Sequence, residues 1–368
     1  MLKFFKIILF FFLAIVIVFI IYKTIFPREI ISFPKEVVLN EPEKTLNKLS
    51  LEQKIGQLFI IGFEGKEVTP ELESLIKTLH PGGILLLGRN IDNPKQLKNL
   101  IEKLQEISSN DVGFSLFVAI DQEGGEVSRV EWVEKTPQSE IKDSKQAYQV
   151  GLERGKELKE LGINLNLAPV LDFSNPDDFI FNRSFKKNPK ESGILAEALI
   201  SGQKAAGILT AVKHFPGYGG ISFNPERQEL PVLLKTPEIS QFKKIIQTEP
   251  EMIMAANVVY SEIDKELPFG LSFDGIQFLK KELGDNFLII SDDLSSPVLE
   301  REFSLEKTVI LAYKAGVNLL IVAGFDNFED PVSVFNFLFK AIKKGEISEE
   351  RINLSVLKII QLKQKLLE

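Results

Sequence analysis

Residues 287–294 read Phe-Leu-Ile-Ile-Ser-Asp-Asp-Leu, a short apolar run with a carboxylate, Asp292, at its end. Such a run reads as a buried parallel strand. In a barrel or a doubly wound sheet, the carboxyl ends of such strands hold the catalytic side chains. The pattern recurs along the chain. Residues 116–120 stop at Asp121, 165–171 at Asp172, 209–212 at Lys213 and His214, and 252–256 at Asn257. With 57–63, 83–88 and 318–324 there are eight such runs. One carboxylate at a strand end is ordinary, but several polar strand ends on one rim point to an active site.

The intervening segments 71–79, 94–107, 140–160, 188–206, 237–247, 273–283, 304–315 and 331–344 place apolar residues at helical spacing. Asn93-Pro94 and Thr236-Pro237-Glu238 carry helix-start chemistry. Eight strands alternating with eight helices predict an α/β fold of the (β/α)₈ barrel type over residues 47–368. A doubly wound open sheet is the alternative, because periodicity does not report closure.

The chain has 368 residues, 44% of them hydrophobic, and a net charge of −7. That is ample for a core, and no Gly/Ser linker divides 47–368, so one domain is expected. The acidic balance and the lack of a basic stripe argue against nucleic acid as a partner. With zero cysteines, the sequence excludes disulfides, a thiolate nucleophile and Cys–zinc sites. Between Phe4 and Tyr22 only Lys6 is not apolar. This stretch just meets the length of a membrane span, and the residues after it lack the small-x-small site of a cleaved signal peptide. Residues 1–28 are therefore expected to be an uncleaved membrane anchor, 29–46 a tether, and 47–368 an extracytoplasmic domain.

Two further stretches carry chemistry. Asp121-Gln-Glu-Gly-Gly-Glu-Val-Ser-Arg129 is a strand-to-loop turn whose glycines let backbone approach a ligand. Lys213-His-Phe-Pro-Gly-Tyr-Gly219 is a strand breaking into a Gly-rich loop, and Asn182-Arg-Ser-Phe185 adds a cation to the same rim. Each alone has a bland reading: a tight turn, a structural Lys–His pair, or a surface salt bridge of little worth. As an ordered set with Leu167-Ala-Pro-Val-Leu-Asp172 and Ser291-Asp-Asp-Leu294, they resemble the N-terminal barrel of the family 3 glycoside hydrolases. The resemblance is strongest to the single-domain β-N-acetylhexosaminidases of bacterial cell-wall turnover. It runs from residue 49 to the last helix, and the chain ends where multi-domain β-glucosidases of the family continue, which favours the hexosaminidase branch.

The resemblance implies a retaining exo-β-glycosidase acting on terminal β-linked N-acetylhexosamine, with carbohydrate as partner and no metal or organic cofactor. It makes Asp292 the nucleophile that forms a glycosyl-enzyme. Asp121, Arg183, Lys213 and His214 would hold the hydroxyls and 2-substituent of the terminal sugar, with Arg129 nearby. Charged side chains suit groups that both donate and accept. Asp172 and Asp293 would be supporting residues. One departure stands out. The family's hexosaminidases carry an Asp-Ser-His in the loop after Lys-His-Phe-Pro-Gly, whose His–Asp dyad is the acid/base. Here that loop reads Asn224-Pro-Glu226, and the only histidine besides His214 is His80, before the second strand at the opposite end of the barrel. Glu226 can replace the dyad, since carboxylic acids with raised pKa serve widely in this role. Glu229, or a loop that no longer catalyses, are the other readings. The alternatives for the whole are a β-glucosidase-like or phosphorolytic enzyme, or an inactive envelope sugar binder.

Overall fold

The structure, a computed structural model, describes residues 41–225, 228–324 and 329–366. Eight parallel strands form its centre. They are β1 (Phe59–Ile61), β2 (Gly83–Leu86), β3 (Phe117–Ile120), β4 (Leu165–Asn166), β5 (Leu209–Phe215), β6 (Met252–Ala255), β7 (Leu288–Ser291) and β8 (Leu320–Val322). Each of β1 to β6 pairs with the next in sequence. β8 pairs back onto β1, with Phe59 beside Leu320. A parallel bridge between Ile290 and Leu319 joins β7 to β8, and the Ser291 N–H lies 3.0 Å from the Leu319 carbonyl. The ring closes, so the barrel holds and the open sheet does not. The runs form strands because both of their faces are covered: every residue of β1, β2, β3, β6, β7 and β8 is buried.

Around the ring lie α1 (Pro70–Leu79), α2 (Pro94–Val112), α3 (Ser144–Glu160), α4 (Pro189–Ala205), α5 (Ser240–Ile245), α6 (Phe273–Leu283), α7 (Leu305–Ala315) and α8 (Glu329–Lys343). Asn93 caps α2 by accepting from the Gln96 N–H, with Pro94 in the first turn. The helix runs past the expected residue 107 and stops where Gly113 takes a left-handed conformation at φ 83°. Thr236-Pro237-Glu238 does not open α5. The Thr236 N–H and hydroxyl are taken by Glu262 at 2.7 and 2.9 Å, so the helix starts at Ser240 instead. β4 is shorter than its apolar run because Pro169 offers no N–H to a ladder. Pairing resumes past it, with the Lys213 N–H on the Pro169 carbonyl at 3.0 Å.

The amino ends of the strands are sealed by the flanking helices. Glu41–Lys48 and the last helix, Glu349–Lys365, pack together. The folded part therefore takes in the end of the stretch expected to be a tether, and Leu46 is buried there. Lys363 points inward from the last helix and donates to Gln57 Oε1 at 2.8 Å. Its amine sits 4.9 and 5.1 Å from the Phe114 and Phe117 ring centroids. Burial with no offsetting charge holds it well below the usual lysine range. His80 also lies at this end, paired with Asp111 at 2.6 Å. Among the described residues no helix is long and apolar enough to cross a membrane, and the apolar stretch 4–22 lies outside them.

Candidate active site

At the carboxyl ends of the strands a cleft of about 420 Å³ opens. Asp121, Arg129, Arg183, Lys213, His214 and Asp292 all line it. Glu226 lies outside the described residues, although its neighbours Asn224 and Pro225 line the cleft. Glu229 is exposed and is not among the lining residues.

One wall is a chain of alternating charges. Lys213 Nζ meets Asp121 Oδ1 at 2.5 Å and Glu123 Oε1 at 2.7 Å. The Arg183 guanidinium grips both oxygens of Glu123, at 2.9 and 2.7 Å. Burial alone would raise the Glu123 carboxyl, but Arg183 and Lys213 outweigh it and hold the group far below the usual carboxylate range. The same pairing raises both cations against the pull of burial, Lys213 through Asp121 and Glu123, and Arg183 through Glu123. Glu123, Lys213 and Arg183 are therefore charged at neutral pH. Glu123 has no side-chain exposure, while Asp121 and Arg183 retain 15% and 22%. Glu123 thus cannot meet a ligand freely. It fixes Arg183, which is partly exposed, and the nearly buried Lys213, which in turn holds Asp121.

Glu123 was not among the expected site residues, although a signal for it existed. In an extended segment alternate residues share a face, so Asp121 and Glu123 point together while Gln122 points away. Gln122 is buried and bonds Val130 through both its amide groups, at 3.0 and 3.1 Å. The turn that follows holds its shape through Gly124, whose φ is 93°. Arg154 supports it from below by donating to the Glu123 carbonyl at 2.8 Å and the Thr136 carbonyl at 3.0 Å.

The floor is a second network. Asp172 Oδ2 accepts from the His214 backbone N–H at 3.0 Å and lies 2.9 Å from His214 Nδ1. Burial opposes the charge on Asp172, but His214 and the Tyr218 N–H win and keep its carboxyl below the ordinary value. An ionised carboxylate only accepts, so Nδ1 of His214 carries the hydrogen and Nε2 is the ring's remaining polar atom. The Tyr218 hydroxyl donates to Asp292 Oδ2 at 2.8 Å and accepts from the Asn257 N–H at 2.9 Å. Asp292 Oδ1 accepts from the Asp293 N–H at 2.9 Å. The Asp293 side chain serves the frame: its Oδ1 accepts from the Ser295 N–H and hydroxyl at 3.0 and 2.6 Å and the Ala323 N–H at 3.2 Å, tying β7 to β8. It also borders the cleft, and burial, reinforced by Asp292, pushes it up to about 6. Among the described residues, no group of three or more His, Cys, Asp or Glu side chains is placed to hold a metal ion.

Residues 50–362 match the glycosyl hydrolase family 3 N terminal domain. The chain belongs to that family. The β-hexosaminidase of Idiomarina loihiensis is 31% identical over 278 residues, covering 72% of this chain and 82% of its own length. β-Hexosaminidase A of Pseudoalteromonas piscicida is 30% identical over 339 residues, which is 81% of this chain but 55% of the relative. A solved family 3 β-N-acetylglucosaminidase from Paenibacillus sp. superposes with a TM-score of 0.82 at 32% identity, over 87% of this chain and 63% of that one. This family 3 chain therefore spans little more than half of some relatives and most of others.

Proposed function

We propose that this family 3 domain is a retaining exo-β-N-acetylhexosaminidase. The observation that carries the reading is the placing of Asp292, with both oxygens hydrogen-bonded, in a cleft shared with Asp121, Arg183, Lys213 and His214. The names of its relatives support the sugar. Asp292 attacks the anomeric carbon, an acid protonates the departing oxygen, and water then releases the sugar with retention. Lys213, Asp121, Arg183 and His214 orient hydroxyls and the 2-acetamido group, with Arg129 at the border. Glu226 is the acid/base, since neither histidine of the chain stands in its loop. The apolar residues 4–22 anchor the protein so that the domain faces cell-wall fragments.

The test combines an aryl N-acetyl-β-glucosaminide with a 5-fluoro N-acetylglucosaminide trap, which keeps the 2-acetamido group. Asp292→Asn should lose several orders of magnitude in kcat, and the trap should label the peptide that contains Asp292. Glu226→Gln should lose far more rate on alkyl than on acidic aryl leaving groups, because a good leaving group departs without protonation. Azide should then restore the aryl rate. Equal losses on both leaving groups would move the acid role elsewhere. A wild type inert on every β-glycoside but able to bind N-acetylglucosamine would make the domain a sugar binder.

A further inference from the structure

Tyr218 is held on several sides. Its backbone N–H donates to Asp172 Oδ1 at 2.5 Å. Its ring meets the His214 and Phe179 rings edge-on, at 4.8 and 5.6 Å between centroids. The hydroxyl is fixed in direction by a simple count. A phenol has one hydrogen, and the backbone amide of Asn257 can only donate. With that amide on the hydroxyl oxygen at 2.9 Å, the phenolic hydrogen is aimed at Asp292 Oδ2, 2.8 Å away. From these contacts we propose that Tyr218 is a positioning residue for the Asp292 nucleophile, one that acts chiefly when the carboxylate leaves. This rests on the reading of Asp292 given above.

In the first half of the reaction, the Asp292 carboxylate bonds to the anomeric carbon and its charge passes into an ester. In the second half, a water oxygen bonds to that carbon. The bond from the carbon to the Asp292 oxygen breaks, and its electron pair returns to the carboxylate. The water proton passes to the acid/base carboxylate. A donor aimed at Asp292 binds the charged form more strongly than the ester, as charge-assisted bonds do. It therefore stabilises the transition state of the second half as charge returns, and it resists the first half slightly. The Asp293 N–H does the same from the main chain, which substitution does not remove. Tyr218 is the contribution that a side chain makes.

Tyr218→Phe in the full chain, assayed on an aryl glycoside with an acidic phenol, should lower kcat by about tenfold or more. KM should fall with it, because the glycosyl-enzyme accumulates, and intact mass at steady state should show the adduct. Replacing Tyr218 by 3-fluorotyrosine keeps the shape and gives a better donor. It should act in the opposite sense, with less adduct and a higher KM. If Tyr218→Phe does not fold, the fluorinated variant decides alone. A kcat and KM within twofold of wild type in both variants, or a rise in KM without adduct in Tyr218→Phe, would overturn the role. The 5-fluoro trap separates the two readings. A label away from Asp292 sinks the nucleophile assignment itself, whereas a label on Asp292 with unchanged Tyr218→Phe kinetics sinks only the role of Tyr218.

Discussion

Glu123 is the residue on which the sugar-facing wall depends, because two cations share its carboxylate. Glu123→Gln leaves Lys213 and Arg183 facing each other with Asp121 as their nearby counter-charge. Removing one partner from a buried ion network costs about 3–5 kcal/mol, so urea unfolding at pH 7 should show a loss of that order. The folded carboxyl is depressed, so its contribution is present above the unfolded value of about 4.3 and fades as pH falls through and below it. The gap between wild type and variant should narrow towards pH 3. A gap independent of pH would mean that the loss comes from packing. The strand-end charges themselves were legible in the sequence, since each follows an apolar run. The Tyr218–Asn257 contact was not, because those residues are 39 positions apart and meet only when β5 and β6 lie side by side.

The decisive local element is the turn after β3. A side chain at Gly124 would place its first carbon 2.1 Å from the Thr136 carbonyl oxygen and 2.8 Å from Arg154 Nη2. Gly124→Ala must therefore shift the turn and drag Glu123 from its cations. A cost above about 2 kcal/mol is expected, together with loss of N-acetylglucosamine binding. Gly113 is the control: its φ is also positive, at 83°, but nothing lies within 4 Å. Gly113→Ala should cost only the left-handed strain of about 1–2 kcal/mol and leave sugar binding intact. Unfolding curves and inhibitor titrations on the two variants check both expectations. Helix and strand positions were readable because period and run length are local properties. The start of α5 was not, because Thr236 answers to Glu262 from a later loop rather than to its own helix.

At the scale of the whole molecule, closure was the property the sequence could not express, since it rests on pairing between β1 and β8. The sealed end of the barrel carries its own prediction. The Lys363 amine is depressed by burial, so between its lowered folded value and the unfolded one the unfolded chain binds a proton that the folded one does not. Across that window stability must rise with pH, until the unfolded lysine itself titrates near 10.4. Lys363→Met removes that dependence. The variant should be the more stable at pH 7, with the difference closing as pH approaches 10.4, as read by chemical unfolding across that range. A ring whose first and last strands are neighbours also sets a timetable for synthesis. β1 leaves the ribosome with one edge paired to β2, and the other edge waits for residues 320–322. At roughly 5–20 residues per second that wait is on the order of tens of seconds. A ribosome-bound chain stalled before residue 318 should be cut readily by protease, and one released past the last helix should not, because only then does the β-sheet have no free margin.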